Sequence, residues 1–145
     1  MFNKKHLACL LALFLASPNA SASEEEGLIE LMGRFQYFMH KTALSLDAKN
    51  LELLKFYTHE VEENLEEAEK LGDFNGFDIG AMTKKILAPE FEKFEKHVDA
   101  KELDMADRQY DKMLEACNSC HASVDRGFLH IRRSSQNPYM QSFAP

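Results

Sequence analysis

The sequence predicts an all-α protein, an antiparallel four-helix bundle. Three observations carry that prediction. Four stretches repeat apolar residues at steps of three and four, the period of a helix with one buried face. No stretch alternates convincingly at the period of two expected of a strand. The links between the stretches are short, which makes sequential helices antiparallel neighbours.

Before the first helix, residues 1–22 read as a secretory signal peptide. Lys4 and Lys5 supply a charged start, residues 7–16 a short apolar run, and Ala20-Ser21-Ala22 a small-residue cleavage site. The apolar run is well short of the roughly 20 residues a membrane span needs, and Cys9 falls inside it. Cleavage after Ala22 leaves 123 of the 145 residues and takes the formal charge from −7 to −9. On length, residues 23–145 form one domain. The expected destination is the periplasm.

The first helix is expected over about 25–48, with Leu28, Met32, Phe35, Met39, Thr42 and Leu46 on its buried stripe. Asn50 reads as the N-cap of the second, whose stripe is Leu54, Tyr57, Val61, Leu65 and Ala68. Its opposite face carries Glu60, Glu62, Glu63, Glu66 and Glu67, ordinarily a solvated face. Gly72-Asp73-Phe74-Asn75-Gly76 breaks the pattern and forms the central connection. The third stretch, about 78–98, presents Ile79, Met82, Ile86, Phe94 and Val98. Pro89 inside it predicts a kink or two shorter helices. The fourth, about 103–128, presents Ala106, Tyr110, Met113, Cys117, His121 and Val124, with Gly127 at or near its end. From about residue 129 a tail follows, and periodicity does not decide whether it is ordered or frayed.

The fourth stripe runs into Cys117-Asn118-Ser119-Cys120-His121, the attachment signature of c-type haem. On a helix, residues three and four apart share a face. Two thiols then meet one porphyrin edge while the neighbouring imidazole turns under the ring to the iron. Two rival readings compete. A thioredoxin-like redox pair needs a strand feeding the helix, and none precedes it. A structural zinc site needs four ligands, and beyond the leader the chain has no third cysteine. The motif therefore implies one covalent haem c, with Cys117 and Cys120 as thioether anchors and His121 as an iron ligand.

An acidic, exported, four-helix chain with this motif on its last helix resembles the cytochrome c′ group, the class II c-type cytochromes. The resemblance implies that His121 is the proximal ligand and that a basic residue follows it by about one turn, where Arg126 stands. It also implies that a residue of the first helix covers the other haem face. Leucine or phenylalanine there leaves the iron five-coordinate, and methionine closes it. The chain departs from the family in the 24 residues after His121 and in offering Met32, Phe35, Phe38, Met39 and His40 as candidates for that face. Met39, on the buried stripe, is the first candidate for a sixth ligand, against a face left open or covered by Phe35 or Phe38. His40, on the face shared with Gly33 and Tyr37, is the alternative. His59 and His97 lie among glutamates and are expected in solvent, while nothing positions His130 or Met140.

The expected function is a periplasmic one-electron carrier rather than an enzyme. A five-coordinate haem protein that binds or senses NO or CO is the alternative. A peroxidase would need a distal acid–base residue, and only His40 could serve. The acidity disfavours nucleic acid and stable insertion into an anionic membrane. It suits a redox partner protein with a basic docking patch, and leaves a homodimer open.

Overall fold

In the computed structural model the backbone is described for residues 19–145 and the side chains from residue 25 onward. The expected leader falls mostly on residues 1–18, outside the described residues. Five helices and one very small hairpin follow in order: α1 (Asn19–Asp47), α2 (Leu51–Glu69), β1 (Asp73–Phe74), β2 (Phe77–Asp78), α3 (Ile79–Ile86), α4 (Ala88–Asp99) and α5 (Leu103–Ser123). The described residues are thus mostly helical.

Asn50 caps α2 as its sequence position implies, its Oδ1 accepting from Leu53 N at 3.1 Å. That bond satisfies one of the donors every helix start leaves unpaired. Asp78 does the same for α3, accepting from Ala81 N at 2.9 Å. The third stretch is divided at Leu87, and Pro89 lies in the first turn of α4. There its missing N–H costs nothing, whereas inside a continuous helix its ring would collide with the carbonyl four residues back.

Two expectations are corrected. The central connection contains a hairpin, Asp73 opposite Asp78 and Phe74 opposite Phe77. Its turn is Asn75-Gly76 with φ of 54° and 86°, the left-handed pair that a two-residue hairpin loop requires. The fourth helix stops at Ser123, not near Phe128. Asp125 takes φ 57°, Arg126 N donates to His121 O at 2.8 Å, and Asp125 N donates to Ala122 O at 3.3 Å. This six-to-one and five-to-two pattern closes the helix end before Gly127 is reached.

The closest-packed pairs are α1 with α2 and α4 with α5. Both are antiparallel. Arg34 bonds Asn64 at 2.9 Å and pairs with Glu67, while Lys41 meets Tyr57 one hairpin arm lower. Gln109 Nε2 donates to Glu90 O at 3.0 Å across the second pair. One core joins all four long helices through Leu31, Phe35, Met39, Leu54, Val61, Phe94, Val98, Tyr110 and Met113. Fully burying each such Leu, Val or Phe is worth about 1.5–3 kcal/mol. The short α3 packs on α2, α4 and α5. Its Gly80 lies so close to the Leu71 and Glu69 carbonyls that any Cβ would collide with backbone.

The tail is ordered. It runs back along α5, crosses to α1, and ends over the α1–α2 pair. Arg133 bonds Asp47 and Asp107, both at 2.6 Å, and stands over the Tyr110 ring. Tyr139 and Gln141 close over Lys41. Phe143 is buried against Leu44 and Tyr57. Asn50 Nδ2 donates to the Phe143 and Ala144 carbonyls at 3.2 and 3.0 Å, so one side chain caps α2 and holds the chain end.

Candidate haem-attachment site

Cys117 to His121 occupy the last turns of α5, before the Asp125 stop. At about 100° per residue, Cys117 continues the buried line of Ala106, Tyr110 and Met113. Cys120 lies to one side of that line and His121 to the other. All three are half-buried, and both cysteines are free thiols. Burial pushes the Cys117 thiol up to about 12, with nearby Cys120 adding to the shift. Burial also raises Cys120. A thiol held neutral in this way is a poor dithiol nucleophile, since the thiolate is the reactive form.

His121 Nδ1 lies 2.7 Å from the Leu129 carbonyl oxygen. A carbonyl only accepts, so Nδ1 carries the proton and donates. The lone pair is therefore on Nε2. This is the arrangement of a metal-binding imidazole, whose second nitrogen donates to a carbonyl or carboxylate. The donor set fits a covalent c-type haem: two thiols and a lone-pair nitrogen on one helix face.

Asn118 holds the chain that supplies this carbonyl. Ile131 N donates to Asn118 Oδ1 at 2.7 Å, and Asn118 Nδ2 donates to Ile131 O at 2.9 Å. Sequence periodicity carried no sign of either contact, because the partners lie in a segment without periodicity. Arg126, the expected basic residue, is exposed. Its Nη1 donates only to the neighbouring Asp125 carbonyl at 3.3 Å.

What stands across from the motif depends on how α1 and α5 are aligned. Tyr110 Oη donates to the Met39 carbonyl at 2.8 Å, and Arg133 ties Asp47 to Asp107. The two helices are therefore antiparallel, with Met39 near Tyr110. Helix rise is about 1.5 Å per residue, so Cys117 to His121 lie about 10–20 Å beyond these two ties. Equal travel along α1 reaches positions 28–37. The core-facing residues there are Leu28, Leu31, Met32 and Phe35. Met32 alone among them carries a ligating atom, and it is half-buried. Met39 lies past this stretch, buried in the main core.

The structure places His40 elsewhere. Its Nδ1 is 3.1 Å from Tyr139 Oη, under the tail. Its Nε2 is buried without a hydrogen-bond partner. Phe38 packs toward Tyr57. His59 pairs with Glu62 and Glu63, and His97 with Glu102, on the surface side of their helices. His130 and Met140 are exposed.

Two clefts are lined by no residue of the motif. One of about 380 Å³ opens between α1, the end of α2, the hairpin and α3, lined by Leu28, Leu71, Phe74 and Ile79. The other, about 170 Å³, runs between α2 and α4 beside His59, Glu62, Glu95 and Asp99. Glu95 is raised there by burial, then by the like charges of Glu62, Asp99 and Glu92. Among the described residues no group of three or more His, Cys, Asp or Glu side chains is placed to hold a metal ion. No described helix is long and apolar enough to cross a membrane. No family model, curated protein or solved structure matches the chain.

Proposed function

We propose that the chain is an exported mono-haem c-type cytochrome built as a four-helix bundle of α1, α2, α4 and α5, and that it carries single electrons in the periplasm. The observation that carries this reading is the state of His121. Its Nδ1 proton is committed to the Leu129 carbonyl, which leaves Nε2 as a lone-pair donor beside two thiols on the same face.

Haem, when bound, supplies the one-electron iron couple, and the protein supplies attachment, orientation and surroundings. Cys117 and Cys120 would hold the porphyrin edge covalently, and His121 would give the proximal nitrogen. Met113 and Leu114 continue the apolar wall of α5 next to the motif. The half-buried thiols, raised by burial, argue against a dithiol redox pair, and among the described residues no second pair of ligands stands with them for zinc.

The gas-binding reading keeps one observation in its favour. Across from the motif, the core-facing residues of α1 are apolar side chains and the single thioether of Met32. If Met32 does not reach the iron, nothing else in positions 28–37 that faces the core can.

The test is production of the full chain with its leader in a host that attaches haem c, followed by acid–acetone extraction. Haem that stays with the polypeptide, and that is lost or held more weakly in Cys117→Ser and Cys120→Ser, supports the reading. Haem that leaves the wild-type protein freely overturns it.

A further inference from the structure

We infer that the segment from Arg126 to Arg133 is a strap that orients His121, and that Asn118, inside the cysteine motif, is the positioning residue that anchors it. The inference deepens the cytochrome reading by naming what holds the proximal imidazole.

The strap runs antiparallel to α5 along one flank. Leu129 meets His121, Ile131 meets Asn118, and Arg133 meets Asp107 and Asp111. These helix residues lie on neighbouring rows of one face, and strap residues 129, 131 and 133 meet them in turn. The strap opens on a turn, Leu129 N donating to Arg126 O at 2.8 Å, and has no regular structure from there to Arg133. The amide of Asn118 takes both the N–H and the C=O of Ile131, as a paired strand would. That pair of hydrogen bonds, with the Leu129 N bond to Arg126 O, sets the register in which the Leu129 carbonyl meets His121 Nδ1.

The far end of the strap is held independently. Arg133 is less than a quarter exposed. It bonds one carboxylate on α1 and one on α5, lies 3.8 Å from a third, Asp111, and covers the Tyr110 ring. Burial alone would lower its pKa, but the bonds and charges of Asp107 and Asp47 outweigh that and raise it. The guanidinium therefore stays charged at any working pH. The strap is held at its start by Arg126 N donating to His121 O at 2.8 Å and toward its end by Ile131 and Arg133, and Leu129 meets the ring nitrogen between them.

The consequence is chemical as well as structural. A carbonyl that accepts the Nδ1 proton fixes the tautomer and makes Nε2 a stronger donor. A stronger axial donor favours the oxidised iron and lowers the reduction potential, one of the ways a protein tunes haem. Loss of the strap contact should raise the potential without freeing the haem, because the thioethers do not depend on it.

The experiment uses the full chain labelled with ¹⁵N-histidine, in wild-type, Asn118→Ala, Asn118→Asp and Arg133→Gln forms. Long-range ¹H–¹⁵N spectra of the haem-free chain report the tautomer of His121. Potentiometry of the haem-loaded chain reports the second consequence. The wild type should carry its proton on Nδ1. Asn118→Ala should mix the tautomers and raise the potential with haem retained. Asn118→Asp, which keeps the acceptor for Ile131 N, should fall between. Arg133→Gln, far from the ring, should move both readouts in the same direction by less, and it serves if Asn118→Ala does not fold. A wild-type proton on Nε2 overturns the strap, as do folded variants that move neither readout. A chain that takes up no haem overturns the cytochrome reading instead, while the tautomer spectra still decide the strap.

Discussion

Tyr110 on α5 donates its hydroxyl proton to the backbone carbonyl of Met39 on α1 at 2.8 Å, with the ring fully buried between the helices. α1 and α5 otherwise touch little, so this bond and the Arg133 bridge define their alignment. The Met39 carbonyl already serves its own helix, and it accepts Tyr110 through its second lone pair.

Tyr110→Phe should cost about 1 kcal/mol, the net worth of one buried hydrogen bond. Urea denaturation of the haem-free chain measures it. The apolar ring stays, so a loss of several kcal/mol would mean that the hydroxyl does more than align two helices.

The alignment also predicts the sixth ligand. Met32→Ala should convert a low-spin ferrous spectrum to high-spin and speed carbon monoxide binding, while Met39→Ala leaves the spin state alone. Met39→Ala should instead destabilise the fold by about 2–5 kcal/mol through its core cavity. Absorption spectra with and without carbon monoxide separate the outcomes. The reverse pattern would restore Met39 as the ligand, and a wild type already high-spin would favour gas binding.

Lys41 is buried with its ammonium 4.6, 5.2 and 4.8 Å from the ring centres of Tyr37, Tyr57 and Tyr139, and 3.0 Å from Gln141 Oε1. Two of these partners belong to the tail. Contacts of an ammonium with ring faces are worth about 0.5–2 kcal/mol each. Lys41→Met keeps the bulk and removes the charge, so it should loosen residues 139–145 while the helices stay folded. Limited proteolysis should then cleave the tail first, and hydrogen exchange should rise there before anywhere in α1. Equal protection in both proteins would show that Phe143 and Asn50 suffice.

Stability of the haem-free chain should fall at alkaline pH. Burial holds the Cys117 thiol up at about 12 and the Tyr110 phenol above its usual range. In the unfolded chain they ionise near about 8.5 and 10. Their folded-state pKa values are raised, so the unfolded state binds fewer protons once pH passes the unfolded values. Their contribution is complete below about pH 8.5. From there to about 12 each group takes away up to about 1.4 kcal/mol per pH unit once its unfolded form is ionised. Denaturation midpoints between pH 7 and 11 test this. Cys117→Ala should flatten the first part of the decline, and an unchanged slope would remove the buried thiol as its cause.

Much of the framework was legible in the residues. The three-and-four stripes marked the long helices, Asn50 marked its cap, and Pro89 marked the break. Those signals are local, since a helix buries a face that its own periodicity writes out. The hairpin was missed: the residues around Asn75-Gly76 marked only a break, because a strand of two residues is too short to show alternation. The end of α5 was misplaced because Asp125, not a glycine, takes the left-handed position. An L-residue accepts that conformation only when the surrounding bonds hold it there.

By itself the sequence determined the helical class and the one-face cluster of Cys117, Cys120 and His121, because both follow from spacing along a single helix. Only the tertiary structure decided what surrounds that cluster. The tautomer of His121 depends on Leu129, Asn118 depends on Ile131, and the residues across from the motif depend on Tyr110 meeting Met39. The last tie joins segments about 70 residues apart. The strap contacts join a periodic helix to a tail with no periodicity, and hydrogen bonds between such segments leave no mark on the pattern of either.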